Sequence, residues 1–219
     1  MYLILSAIAT LCAGIGFGYG IYRFFRVKSA LYIRMIVFSV GCVMLGRLSE
    51  TLGLMVNGQV PGGFHVGMLG VIGSFLFLFS ANFGQMDSIV DDGSAQFKKT
   101  RLISLAAPVV VIALWCLLVA IKGFNQTTIA YGVESILIAQ AAYFNLKHLI
   151  IKDVDFGLIK AIRQYNALAL VFALVCMAEM LVRSSNPPAA LVIIVYVLQS
   201  LISLAFIPAL ERGVKTWTT

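Results

Sequence analysis

Apolar residues run along this chain in blocks of about twenty, separated by short polar breaks, with no sustained strand-like alternation. About twenty apolar residues in a helix cross the roughly 30 Å of hydrocarbon in a bilayer. Blocks at 2–22, 31–55, 64–86, 102–122, 128–150, 161–183 and 189–210 each predict a membrane-spanning helix. The breaks carry turn chemistry, as in "NGQVPGG" at 57–63 and "SSNPP" at 184–188. The longest break, "DSIVDDGSAQFKKTR" at 87–101, is polar and reads as a solvated, partly disordered loop. The pattern predicts an all-α membrane protein, a single domain over 1–219 built as a bundle of seven transmembrane helices.

Composition strengthens that reading. Of the residues, 61% are hydrophobic and 11% charged, where a soluble domain carries about 25% charged. The net charge of +7 does not gather into a nucleic-acid patch, because the basic residues sit in the short breaks. Arg23, Arg26, Lys28, Arg34, Lys98, Lys99, Arg101, Lys147, Lys152, Lys160, Arg163, Arg212 and Lys215 fall at one set of helix ends. Only Lys122, Arg183 and Arg47 fall toward the other. Lysine and arginine mark the cytoplasmic side, so the N-terminus is expected outside and the C-terminus in the cytoplasm. An odd number of spans agrees with that, and the setting expected is the inner (plasma) membrane of a prokaryote. The opening stretch "MYLILSAIATLCAGIGFGYGIY" lacks the positive start of a signal peptide and reads as a retained first helix. Cys12, Cys42, Cys116 and Cys176 all lie in apolar blocks without C-x-x-C spacing, so no zinc or redox motif is indicated.

Against this background a few polar residues stand out. Ionisable groups cost about 2.5–3.5 kcal/mol at the centre of a membrane helix, and persist where they are paired, hydrated or useful. Arg47 and Glu50, three residues apart, share a face of the second span. Glu134, with Tyr131, lies in the fifth, Glu179 and Arg183 in the sixth, and His65 starts the third. These seven residues are expected at one membrane level on the outer side, as a pocket for a small polar or zwitterionic solute. The plainer alternative is a set of local ion pairs that staple the helix ends. Gly46, Ser49 and Gly53 flank the first pair, so this part of the second span is expected to pack against helices rather than lipid. The glycines of spans one and three (Gly14, Gly16, Gly18, Gly20; Gly67, Gly70, Gly73) read as close-packing positions. Asn82, Gln85 and Asn166 lie in the inner half, with Gln140 and Gln199 nearer the middle. If they face one another, a polar pathway crosses the bilayer. "NQT" at 125–127 fits a glycosylation acceptor on an outer loop.

A shift of 129 residues lays the first three spans on the last three, placing Arg34 on Arg163, Glu50 on Glu179, Ser74 on Ser203 and Phe77 on Phe206. That is the mark of a three-plus-one-plus-three pseudo-repeat, a plan known in transporters. In layout the chain resembles SWEET-type sugar transporters. Those carry prolines in the helices of each bundle, whereas spans one, two, five and six here have none. The seven-span topology also resembles microbial rhodopsins, which hold retinal on a lysine of the last helix. The stretch "ALVIIVYVLQSLISLAFIPAL" contains no lysine, so no retinal is expected. With two histidines placed at opposite ends, no three-histidine metal site forms, and no hydrolase or phosphate-loop motif occurs. No cofactor and no enzymatic activity are expected. The sequence therefore points to a small carrier, or to a non-catalytic sensor or accessory subunit acting through partner helices. Its partners would be the bilayer, a solute or a membrane subunit, with oligomers compatible.

Overall fold

The computed structural model describes residues 1–26, 28–59, 63–87, 91–151, 158–185 and 187–218, and their side chains except at 85, 86, 158–162 and 216–218. Among these residues the chain is helical throughout, with no strand. Seven helices follow in order: α1 (Tyr2–Phe24), α2 (Leu31–Asn57), α3 (Val66–Asn82), α4 (Ala95–Lys122), α5 (Gln126–Ile150), α6 (Leu158–Ser184) and α7 (Ala189–Thr218). Five of them (α1, α2, α4, most of α6 and most of α7) are long and apolar enough to cross a membrane, as an integral membrane protein requires, and α3 is a shorter apolar helix. A π-helical turn, Phe83–Asp87, lengthens α3. The more polar α5 turns Tyr131, Glu134, Asn145 and His148 inward and keeps Ile129, Val133 and Ile136 on its outer face.

Packing closes six helices into a ring in the order α1, α2, α3, α5, α6, α7 and back to α1, while α4 lies outside against α5 and α6. The ring buries its ionisable and amide side chains among an apolar core and turns large apolar side chains outward. Ile4, Leu11, Ile15, Val109, Ile121 and Leu201 are exposed, while Arg47, Glu50, Glu134, Asn82, Asn145 and Gln199 are buried. That inversion suits a lipid surround, because water would reward the opposite arrangement.

Close crossings depend on small residues. Where α2 meets α3, a Cβ added at Gly70 would come within 2.4 Å of Gly46 Cα, and one at Gly46 within 2.7 Å of the Gly67 carbonyl. Where α1 meets α7, a Cβ at Gly16 would strike the Ser203 carbonyl at 2.5 Å. Backbones this close gain van der Waals contact that larger side chains would forbid. Gly18, by contrast, has no neighbour near its Cβ direction.

In the break at 87–101, residues 91–101 are more ordered than their polarity suggests. Asp91 and Asp92 accept hydrogen bonds from the Gly93 and Ser94 amides, both at 2.9 Å. Arg101 ties back to the Ser94 carbonyl at 2.5 Å. These local turns launch a 3-10 turn at Ala95–Phe97 and a short helix, Lys98–Ser104, that leads into the span. Residues 88–90 lie outside the described set. At "NQT" the Asn125 carboxamide is the N-cap of α5, accepting from the Thr127 and Thr128 amides, with Thr128 completing a capping box.

Candidate functional site

Near the end of the bundle that carries the N-terminus, α2, α6 and α7 converge on a charge cluster. The Arg47 guanidinium grips Glu179 with both arms, Nη1 to Oε1 at 2.7 Å and Nη2 to Oε2 at 2.5 Å. Its Nη1 also donates to Glu50 Oε2 at 2.6 Å, and its Nη2 to Gln199 Oε1 at 2.5 Å. From the other side Arg183 Nη2 pairs with Glu179 Oε1 at 2.6 Å, with Glu50 Oε1, and with the Tyr196 hydroxyl at 2.9 Å. Tyr196 in turn donates to Glu50 at 2.9 Å, and Gln199 Nε2 donates to Glu179 at 2.5 Å. All four charged residues have side chains no more than 12% exposed. Charge-assisted, forked pairs of this kind are the form in which ions survive burial.

The backbone holds this arrangement from behind. Arg47 and Glu50 lie on one face because they are three apart, as Glu179 and Arg183 do at four. Ser6 and Thr10 of α1 hydrogen-bond Thr51 at 2.8 and 3.1 Å, and Thr51 bonds the Arg47 carbonyl at 2.8 Å. This hydroxyl chain locks the helical turn that carries the guanidinium. The Tyr196 ring lies under Arg47, 5.2 Å from centroid to guanidinium carbon.

Beside the cluster is a cavity of about 30 Å³, lined by Arg47, Glu50, Glu179 and Arg183 and by His65, Tyr131 and Glu134. It has room for one or two waters. All seven residues singled out for the outer level thus border one space, contributed by α2, α5, α6 and the start of α3. His65 also caps α3, where its Nδ1 accepts from the Met68 amide at 3.3 Å. Two groups on the cavity wall remain unmatched among the described residues. Glu134, 5% exposed, makes no hydrogen bond or ion pair, and Arg183 Nε is buried without an acceptor. Tyr196 and Gln199 complete the cluster from α7. Tyr196 is not among the residues singled out by sequence, although it lies three residues before Gln199 and so shares its face.

At the opposite, basic end a second cluster is built from neutral groups. Asn82 is its hub. Its Nδ2 donates to Asn145 Oδ1 at 2.6 Å and Asn166 Oδ1 at 3.1 Å, and its Oδ1 accepts from the Tyr165 hydroxyl. His148 joins Asn82 at 3.0 Å to Asp87 at 3.2 Å. Lys147 bridges Asp87 and Asp91, both at 2.6 Å. Burial pushes the Asp87 carboxyl up, but the hydrogen bonds from His148 and Lys147 outweigh it and hold the group below the usual carboxylate range. His65 and His148 sit at opposite ends, and no group of three or more metal-binding side chains occurs among the described residues.

The clusters are separated by an apolar layer. Phe75 and Phe172 stack at 5.2 Å between ring centroids, Phe206 meets Phe172 edge-on at 5.9 Å, and Ile138 is fully buried beside them. Beside Phe75, Ser74 hydrogen-bonds Ser39 at 2.8 Å. Gln140 points to the exterior, Gln199 belongs to the charge cluster, Asn82 and Asn166 to the amide cluster. The Gln85 side chain lies outside the described residues.

No family model, curated protein or solved structure matches this chain, so any functional reading rests on the site itself.

Proposed function

We propose that this chain is a small membrane carrier for a polar, zwitterionic solute, with its binding site at the charge cluster. The observation that carries this reading is a pair of groups on one cavity wall: the Glu134 carboxylate, which makes no hydrogen bond or ion pair among the described residues, and the Arg183 Nε donor, buried without an acceptor. A solute bearing an ammonium and a carboxylate would complete both. The four paired charges around them would hold the site rigid. At about 30 Å³ the cavity is too small to enclose such a solute, so binding would require the surrounding helices to part. The Phe75–Phe172 layer would be the barrier toward the far side, and the amide cluster the lining of an inward vestibule.

The orientation belongs to the same proposal: seven crossings of a prokaryotic plasma membrane, N-terminus outside and C-terminus cytoplasmic. In support, Arg23 and Lys215 flank Glu211, Arg101 and Lys147 flank Asp91, and Arg163 reaches the Ile151 carbonyl, all at the basic end. The three-plus-one-plus-three repeat is supported by the ring order, in which α1–α2–α3 is followed by α5–α6–α7 with α4 outside. Under that repeat Glu50 and Glu179 are equivalent, and Arg47 Nη1 donates to both. A parallel duplication of this kind would give alternating access by rocking one half against the other.

The test is flux. The purified protein in liposomes should accumulate one member of a panel of radiolabelled amino acids and glycine betaine, and Glu134→Gln, which breaks no pair of the cluster, should abolish accumulation while the protein still elutes as a folded monodisperse species. The self-pairing of the two arginines with Glu50 and Glu179 favours a second reading, a non-catalytic sensor or accessory subunit in which the cluster is a structural clasp. That reading predicts no flux from the isolated chain and co-purification with a larger membrane assembly.

A further inference from the structure

The charge cluster does not balance. Arg47 and Arg183 face Glu50, Glu179 and Glu134 across one small space, so two positive groups meet three carboxylates. Glu50 and Glu179 are each paired with both guanidinium groups, Arg183 through Nη2 alone. Among the described residues Glu134 is left with none.

The neighbours of Glu134 offer no remedy. From α5 the cavity presents Tyr131, from the start of α3 His65, from α6 Cys176, Glu179 and Arg183, and from α2 Arg47 and Glu50. The His65 Nδ1 lone pair is taken by the Met68 amide, which leaves its other ring nitrogen to carry the hydrogen in the neutral form. An uncompensated buried charge is among the most costly features a folded chain can hold. In a membrane core the cost is met by a counter-ion.

We propose that the cavity between Glu134 and the arginine–glutamate cluster is a binding site for one monovalent cation, which neutralises Glu134 while the solute site is empty. The volume of about 30 Å³ admits a proton on the carboxyl, or a bare alkali ion with a water, and is too small to enclose an organic ammonium. The inference deepens the carrier reading and rests on it for its role: one carboxylate cannot serve a cation and a solute ammonium at once, so loading exchanges one for the other. The cation site itself stands on charge count and geometry.

The experiment uses the full chain in detergent, treated with dicyclohexylcarbodiimide and mapped by mass spectrometry. This apolar reagent adds across a protonated carboxyl O–H and leaves carboxylates held by guanidinium groups untouched. In sodium-free buffer the label is expected on Glu134 and absent from Glu50 and Glu179. Loss of that label in rising sodium chloride, but not in equal choline chloride, identifies an alkali ion as the natural occupant. An unchanged label identifies the proton. Absence of label on Glu134 in sodium-free buffer, or equal label on all three glutamates, overturns the proposal. A companion measurement guards against reagent access: above about pH 6, clear of the acid range in which Asp87 titrates, the thermal midpoint of the wild type should vary with pH or sodium, and that of Glu134→Gln should not. A variation that persists unchanged in Glu134→Gln overturns the proposal as well. Neither readout requires flux, so a labelled Glu134 with no transported solute would sink the carrier reading and leave the cation site standing.

Discussion

The two polar clusters solve one physical problem in opposite ways. Toward the N-terminal end, charges are buried and compensated one by one, Arg47 and Arg183 against Glu50 and Glu179. Toward the basic end the deep positions are neutral amides, Asn82, Asn145 and Asn166, and full charges appear only at the rim, where Lys147 meets Asp87 and Asp91. A neutral network tolerates loss of one member at the cost of unmade hydrogen bonds. A charge network does not, because removing one member leaves its partner ionised in a low dielectric. The first cluster should therefore be brittle and the second forgiving.

The largest expected effect follows from that. Arg47→Ala leaves Glu179 and Glu50 to share Arg183 as their one cation, and should cost about 3–5 kcal/mol, enough to lose most folded protein on size exclusion in detergent. Next comes the crossing that holds the cluster's helix. Gly70→Val would drive a side chain into Gly46 of α2, and overpacking of this kind costs about 1–3 kcal/mol, seen as a lower thermal midpoint. In the amide cluster, Asn82→Ala removes the hub and should cost about 1–3 kcal/mol while folded protein is still recovered. If Asn82→Ala proves more damaging than Arg47→Ala, the contrast between the clusters is wrong.

A smaller effect concerns pH at the rim. The Asp87 carboxyl is held below its ordinary range by His148 and Lys147. A group depressed in the folded state contributes stability above its unfolded value, near pH 4, and loses it as pH falls through the lower folded value. The wild-type melting temperature should therefore drop on acidification through that window, and Asp87→Asn should flatten the drop. Smallest of all, Gln140→Leu, on the exterior of α5, should leave both folding and any flux unchanged.

The helices and the charged residues of the first cluster are legible in the sequence, because an apolar block makes every ionisable residue conspicuous. Arg47, Glu50, Glu134, Glu179 and Arg183 reach one cavity because each lies near the same end of its helix. Phase is harder to read. At about 100° per residue, Gln140 stands about 240° around α5 from Glu134, whereas Asn145 returns to within about 20° of it. Depth alone puts Gln140 on the interior path, and rotation puts it outside. Tyr196 escapes notice for a related reason: in an apolar run a tyrosine reads as bulk, and its hydroxyl matters only once α7 is packed against α2 and α6. The helical start of α4 eludes hydropathy, since the capping that orders 91–104 is entirely polar. Phe75 and Phe172 stack across the ring, a contact between α3 and α6 that no local pattern announces.

The first cluster depends on Arg47 and Glu179 compensating each other across the bundle, and a double-mutant cycle measures that compensation. Thermal stability in detergent would be determined for the wild type, Arg47→Gln, Glu179→Gln and the double variant. Each single substitution should be strongly destabilising, and the double variant should recover much of the loss, with a coupling energy of about 1–3 kcal/mol. Losses that simply add, with no recovery in the double variant, would show that the two side chains do not depend on each other.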